Sequence, residues 1–174
     1  LSFLRERLTA AGISYETESN TVREDDWANN WKQYFKPCPV GEKLLIVPSW
    51  EKDPALREIY GDRAQLIIDP GMAFGTGTHE TTRLCMELLE KYVKPGDTML
   101  DMGCGSGILS VAGLLLGAGS AVGVDIDALA VKTAVANAEI NHVGDKFTGI
   151  CGNLADKVTG TFDVVVANIV ADVV

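Results

Sequence analysis

The stretch Asp101–Gly107, which reads DMGCGSG, lies between the apolar pair Met99-Leu100 and the apolar residues 108–112. This order predicts a strand, a glycine-rich turn and a helix. Glycine has no Cβ, so a ligand can approach the backbone of such a turn closely. The first amides of the following helix also point towards that place. We therefore expect a ligand at this turn, with a turn that serves only packing as the alternative.

The spacing of the glycines distinguishes two classes of ligand. A dinucleotide-binding turn has the pattern G-x-G-x-x-G, and its last position here is Ile108 or Ser110 instead of glycine. The turn reads G-x-G-x-G and follows an acidic residue, Asp101. A carboxylate suits a ligand with an amino group or a positive charge better than it suits a diphosphate. S-adenosylmethionine carries both groups, so it is the cofactor we expect.

Composition and charge exclude several classes of protein. The chain has 174 residues, is 47% hydrophobic and carries a net charge of −9. The negative charge argues against non-specific nucleic-acid binding, which depends on Lys and Arg, and is compatible with a small-molecule site, a basic protein partner or solubility alone. Four cysteines without C-x-x-C spacing argue against a zinc site and favour reduced thiols in a cytoplasmic protein. No apolar run is long enough for a membrane segment.

The length suits one domain, or one domain with a fragment of another. In residues 1–20, leucines at helical spacing end at Gly12 and a short alternating stretch follows, which suggests the tail of a preceding domain. Residues 21–43 read as a connector. Residues 44–174 are expected to form the main, cofactor-binding domain.

The main domain alternates between strand and helix. Apolar runs predict strands at 44–47, 65–68, 98–101, 121–124, 146–151 and 162–167, and helices are expected at 107–116 and 127–141. The β-α-β-α-β order after residue 97 predicts an α/β fold with a doubly wound, mostly parallel sheet. The unbroken apolar run of the last strand indicates burial on both faces. In such sheets, ligands lie beyond the carboxyl ends of the strands.

Polar residues follow the predicted strands at that edge. Asp125 ends the strand after the glycine-rich turn, where a carboxylate can accept both hydroxyls of a ribose, while Asp127 is the better candidate for a helix cap. Asn153 follows the next strand, either near an adenine ring or as a plain turn residue. Asn168 follows the last strand, either beside the transferred group or as a turn asparagine.

A second glycine-rich stretch, residues 71–78, reads GMAFGTGT and predicts a loop. Thr78 is expected to cap the helix that follows, which carries an apolar face up to Tyr92. This helix directly precedes the central strand, so its N-terminus, with His79 and Thr82, should lie near the same end of the sheet. His79 is a candidate general base if it faces the site, or a histidine satisfied at a helix start.

These motifs resemble those of the class I S-adenosylmethionine-dependent methyltransferases. The resemblance implies a fold similar to the Rossmann fold. Residues 69–82, DPGMAFGTGTHETT, resemble more narrowly a loop of the bacterial ribosomal protein L11 methyltransferases, although that loop has Pro where this chain has Glu80. Residues 103–109, 124–127 and 167–171 share the resemblance, which covers roughly residues 24–174.

The resemblance implies that Thr82, Gly103, Asp125 and Asn168 contact the cofactor, and we add Gly105, Thr78 and Asn153 as candidates. It implies a protein N-methyltransferase that acts on lysine and N-terminal amines of a large-subunit ribosomal protein, with Asn168 orienting the amine. No direct nucleic-acid or membrane partner is expected, and no metal.

The resemblance also implies further strands after the one predicted at 162–167, which is the fourth strand after residue 97. It implies a separate N-terminal substrate-recognition domain as well. We expect this chain to lack those strands and most of that domain. Two alternatives stay open. One is a small-molecule methyltransferase on the same fold, and the other is a fragment that binds the cofactor without turnover.

Overall fold

A computed structural model describes residues 7–14, 35–69, 79–153 and 156–169. The chain divides into two compact units, Leu1–Phe35 and Lys36–Val174. In the first unit, residues 7–10 are helical and Gly12 has a φ of +67°. The Gly12 N–H bonds the Thr9 carbonyl and the Ile13 N–H bonds the Leu8 carbonyl. These bonds form a Schellman motif, which confirms that Gly12 ends this helix.

The second unit carries the elements that form the site. Its strands are β1 (Cys38–Val40), β2 (Leu44–Pro48), β3 (Ala64–Ile68), β4 (Thr98–Met102), β5 (Ser120–Asp125), β6 (Phe147–Cys151) and β7 (Val164–Ala167). Its helices are α1 (Leu56–Tyr60), α2 (Glu80–Tyr92), α3 (Ile108–Leu115) and α4 (Ala128–Ile140), with a 3-10 turn at Gly144–Lys146. The loop expected at residues 71–78 lies outside the described residues.

The strands form two sheets. In the small sheet, of order β1-β2-β3, β1 is antiparallel to β2 and β2 is parallel to β3. The main sheet has the order β6-β5-β4-β7, and its strands are all parallel. The expected α/β fold with a mostly parallel sheet is confirmed. Since β5 and β7 lie on opposite sides of β4, the chain reverses its direction across the sheet at β4, which is where α/β sheets bind ligands.

Burial explains why these segments fold as they do. Helix α3 is apolar on nearly all sides, and every residue from Ile108 to Leu114 is buried. Its Gly113 lies directly against the Met99 side chain of β4, which leaves no room there for a side chain on the helix. Helix α4 approaches the sheet through alanines, of which Ala134 is fully buried. The turn between β4 and α3 is therefore fixed by packing on both sides.

The exposure of β7 differs from the expectation. Its residues alternate between half-buried and exposed, and Val165 is 54% exposed. Burial on both faces is therefore wrong for this strand as far as the structure describes the chain. The run is apolar, but within the described residues β7 is an edge strand with β4 as its neighbour.

The described ranges contain neither a membrane-spanning helix nor a cluster of metal ligands. No helix there is long and apolar enough to cross a membrane. No group of three or more His, Cys, Asp or Glu side chains there could hold a metal ion. The four cysteines are free thiols.

Candidate functional site

The turn between β4 and α3 is the centre of the site. Its three glycines have positive φ angles of 70°, 53° and 76° at Gly103, Gly105 and Gly107, a conformation that L-residues with side chains rarely adopt. The backbone amides of Gly103 and Cys104 both donate to the Val124 carbonyl, at 2.8 and 2.9 Å. The turn is therefore held on the carboxyl end of β5 as well as on that of β4.

Close packing explains why the last of these positions is glycine. A Cβ on Gly107 would lie 2.7 Å from the Cβ and 2.9 Å from the Cα of Ala134 in α4. Gly107 is also the N-cap of α3 and makes no side-chain cap bond. The turn thus rests directly on the backbone of α4.

Asp101 supplies the missing cap from beneath the turn. Its Oδ2 atom accepts hydrogen bonds from the Ser110 backbone N–H at 3.0 Å and from the Ser110 hydroxyl at 2.8 Å. Burial raises the pKa of Asp101 to about 6; the bonds from Ser110 act against this rise, and the charge of Asp125 adds to it. The side chain is 1% exposed. The structure directs this carboxylate at the start of α3, and its suitability for a ligand with an amino group stays a prediction.

Asp125 joins the turn to the end of β5. Its Oδ2 accepts from the Gly105 N–H at 2.9 Å, and its Oδ1 accepts from the Asp127 N–H at 3.0 Å. The side chain of Asp127 accepts from the Leu129 N–H at 2.8 Å and is the N-cap of α4. Asp127 is thus the helix cap, as the sequence indicates, and the half-buried Asp125 remains at the edge of the sheet.

Thr82 and Asn168, which are 86 positions apart, meet at the other side of the turn. The Asn168 Nδ2 donates to the Thr82 hydroxyl oxygen at 3.1 Å. Thr82 is 2% exposed in the first turns of α2, and Asn168 follows β7 and is half-buried. The prediction that the N-terminus of α2 lies at this end of the sheet is confirmed.

The start of α2 bears on two expectations, the capping of this helix by Thr78 and the role of His79. Its N-cap is His79, whose Nδ1 accepts from the Thr81 N–H at 3.3 Å. Capping by Thr78 is therefore wrong, and Thr78 itself lies outside the described residues. His79 is a histidine satisfied at a helix start. Glu80 is the first helical residue, where an acidic side chain interacts favourably with the helix dipole.

Asn153 lies in an exposed turn after β6. Its carbonyl accepts from the Asp156 N–H at 3.1 Å, and the preceding Gly152 donates to the Asp125 carbonyl at 2.9 Å. The backbone at Asn153 is therefore held next to Asp125.

The sequence of this site and of its surroundings matches a described family. The family model named ribosomal protein L11 methyltransferase (PrmA) matches residues 4–174. The chain belongs to this family.

Relatives and solved structures agree with this assignment. The chain is 52% identical over 165 residues to a ribosomal protein L11 methyltransferase of Pelotomaculum thermopropionicum, covering 94% of the chain and 52% of that protein. It is 50% identical to that of Carboxydothermus hydrogenoformans, covering 100% of the chain and 56% of that protein. The chain thus spans about half the length of these curated relatives.

Two solved structures share the fold. One is a ribosomal protein L11 methylase from Lactobacillus delbrueckii subsp. bulgaricus, with a TM-score of 0.69 and 37% identity over 79% of this chain and 68% of that one. The other is a 16S rRNA N2 methyltransferase from T. thermophilus, in complex with AdoMet and guanosine. It has a TM-score of 0.50 and 26% identity over 56% of this chain and 27% of that one.

No role was assigned from the sequence to two apolar side chains at the edge of the candidate site. Ile126, directly after Asp125, is 76% exposed. The side chain of Ile169, directly after Asn168, lies against Gly103. Each is an apolar residue that directly follows a polar residue at a strand end, and this order can be read in the sequence.

Proposed function

We propose that this chain carries the S-adenosylmethionine-binding part of a methyltransferase that modifies amines of a large-subunit ribosomal protein in the cytoplasm. The supporting observation is the convergence of the glycine-rich turn, Asp125 and the Thr82–Asn168 pair at one edge of the sheet, in a chain of the L11 methyltransferase family. The acceptor amines we propose are lysine side chains and the N-terminal α-amine.

The donor set fits this cofactor better than it fits a dinucleotide. A dinucleotide turn binds the pyrophosphate with free backbone amides, whereas the amides of Gly103, Cys104 and Gly105 donate to Val124 and Asp125. The described strand ends offer the carboxylate of Asp125, the amides of Asn153 and Asn168, and the exposed apolar side chain of Ile126. The polar groups suit the ribose and the amino acid part of the cofactor, and the apolar side chain suits the face of its flat base.

Each residue then has a definite binding task. Asp125 accepts the ribose hydroxyls, because its carboxylate is partly exposed at the end of β5. The backbone of Gly103 and Gly105 lies along the cofactor, and Ile126 packs on the base. To the amide of Asn153, whose backbone is held next to Asp125, we assign a bond to the exocyclic amine of the base.

On the acceptor side, the chain must bind an amine in its neutral form and orient the lone pair. A free lysine has a pKa of about 10.4 and an α-amine a pKa of about 8, so the α-amine reaches the neutral form more easily. The Nδ2 of Asn168 donates to Thr82, and its Oδ1, the acceptor atom of the amide, accepts a hydrogen bond from the amine. An amide oxygen is not a strong base, so its task is orientation. When bound, the cofactor supplies the methyl group as an electrophile.

The first test is calorimetric titration with S-adenosylhomocysteine of the intact protein and of two aspartate variants. Asp125→Ala is expected to weaken binding by about 1–3 kcal/mol, because two hydroxyls lose their acceptor. Asp127→Ala is the matched control: it lies two residues away, caps α4, and should lower stability by about 1 kcal/mol with unchanged affinity. Equal affinities of both variants and the unchanged protein would remove Asp125 from the site.

The second test is the transfer of labelled methyl groups to ribosomal protein L11. Transfer to its lysines or N-terminus supports the proposed acceptor. Binding of S-adenosylhomocysteine without any transfer to this protein would refute the acceptor and leave the small-molecule methyltransferase or the non-catalytic binding protein.

A further inference from the structure

The amide of Asn137 connects three separate parts of the second unit. Asn137 lies in α4 and is 1% exposed. Its Nδ2 donates to the Ser106 carbonyl at 2.8 Å and to the Asp69 carbonyl at 3.1 Å, and its Oδ1 accepts from the Asp69 N–H at 3.0 Å. These three partners use both protons of the amide and fix its orientation. One side chain therefore joins α4, the glycine-rich turn and the end of β3.

Asn141, one helical turn later, repeats half of this arrangement. Its Oδ1 accepts from the Ile67 N–H at 2.8 Å, and its Nδ2 donates to the Ile67 carbonyl at 2.6 Å. Four residues of helix rise about 6 Å and two residues of strand rise about 6.6 Å. The asparagines at 137 and 141 therefore match Asp69 and Ile67 in spacing. Together they satisfy backbone groups of β3, which is the last strand of the small sheet.

The two asparagines differ in the use of the second amide proton. In Asn141 this proton goes to the Asn137 carbonyl within the same helix, at 2.8 Å. In Asn137 it goes to Ser106, a fully buried residue of the glycine-rich turn. Both side chains hold β3, but of the two asparagines Asn137 is the one bonded to the turn.

We propose that Asn137 is a positioning residue that sets the affinity for the cofactor by fixing the glycine-rich turn relative to β3 and α4. This inference rests on the proposed function, in which the turn carries the cofactor. Ala134, Val124 and Asp125 also hold the turn, and the side chain of Asn137 is what ties it, through Ser106, to the end of β3. Without that bond, the turn is no longer tied to β3, and binding must restore their relative position at a cost in affinity.

The test compares Asn137→Asp with Asn141→Asp in the intact protein. Each change keeps the side-chain oxygen that accepts from the backbone at β3. Each replaces the NH2 group by an oxygen and so removes two hydrogen bonds to backbone carbonyls. The number of lost bonds is therefore the same in both variants. Both variants should lower the melting temperature by similar amounts. We expect Asn137→Asp to raise the Kd for S-adenosylhomocysteine about tenfold and Asn141→Asp to change it less than about threefold. The KM for S-adenosylmethionine should follow the Kd.

The outcomes separate this inference from the proposed function. No binding of S-adenosylhomocysteine by the unchanged protein would overturn both. Binding by the unchanged protein with equal Kd values for the two variants would overturn only the role of Asn137.

Should Asn137→Asp not fold, hydrogen exchange of the unchanged protein gives the answer. Ligand binding should then slow exchange in residues 66–69 together with residues 103–108. Slowing confined to residues 103–108 would overturn the inference, because the turn would then respond without β3.

Discussion

Asp101 is a buried acidic residue beneath the glycine-rich turn, so its contribution to the free energy of unfolding depends on pH. Because burial raises its pKa from 3.8 to about 6, the folded state binds the proton more tightly than the unfolded state does. Asp101 therefore contributes stability that is fully present below its ordinary pKa of 3.8. This contribution is lost as the pH rises through about 6.

We expect Asp101→Asn to remove this pH dependence. Asparagine keeps an oxygen for the Ser110 N–H but does not ionise. The difference in unfolding free energy between the unchanged protein and the variant should change by about 2–3 kcal/mol between about pH 4 and pH 7. Urea denaturation at several pH values measures it. Parallel pH profiles of the two proteins would show that Asp101 titrates as it does in the unfolded chain.

The residue types at the strand ends could be identified from the sequence, but not what each side chain contacts. Asp125, Thr82 and Asn168 lie at the predicted edge because the order of the elements dictates it. The inward direction of Asp101 depends on Ser110, which lies below the turn only after α3 has packed. The bond between Thr82 and Asn168 spans 86 positions, so no local pattern contains it.

At the scale of elements, Gly107 shows how the turn and α4 depend on each other. We expect Gly107→Ala to destabilise the protein by about 2–4 kcal/mol, because the positive φ and the overlap with Ala134 both add cost. Gly96→Ala is the matched control, since Gly96 has a φ of +89° but no atom within 4 Å of an added Cβ. Its cost should be about 1–2 kcal/mol. Thermal unfolding measures both losses of stability. Equal losses in the two variants would mean that α4 shifts at Ala134 and makes room for the added Cβ.

Element positions followed from periodicity and caps, whereas contacts between elements did not. The helices expected at 107–116 and 127–141 correspond to α3 and α4, because Gly107 and Asp127 mark their starts. His79 was not expected as a cap, since threonine is the more usual residue there. The pairing of β3 with asparagines of α4 was missed for a different reason, because polar residues inside a helix usually indicate an exposed face.

At the scale of the whole molecule, the order β6-β5-β4-β7 puts the turn in the middle of the main sheet, with Asp125 on one side and Asn168 on the other. The same order leaves β7 beside α2 with an apolar surface. Leu88 and Tyr92 of α2 and Val165 of β7 are each more than half exposed, and they line a common groove. Contiguous apolar surface of this kind promotes association. Among the strands that the structure describes, β7 pairs with β4 alone, which adds a free strand edge.

We expect Val165→Lys to reduce self-association, because a lysine at this position interrupts the apolar groove between α2 and β7. Ile59→Lys is the matched control: Ile59 is 61% exposed in α1, does not line that groove, and the change alters the net charge equally. Light scattering at equal concentration and ionic strength measures the effect. Only the Val165 variant should scatter less. An equal decrease in both variants would attribute association to net charge, and no decrease in either would show that the surface between α2 and β7 does not drive it.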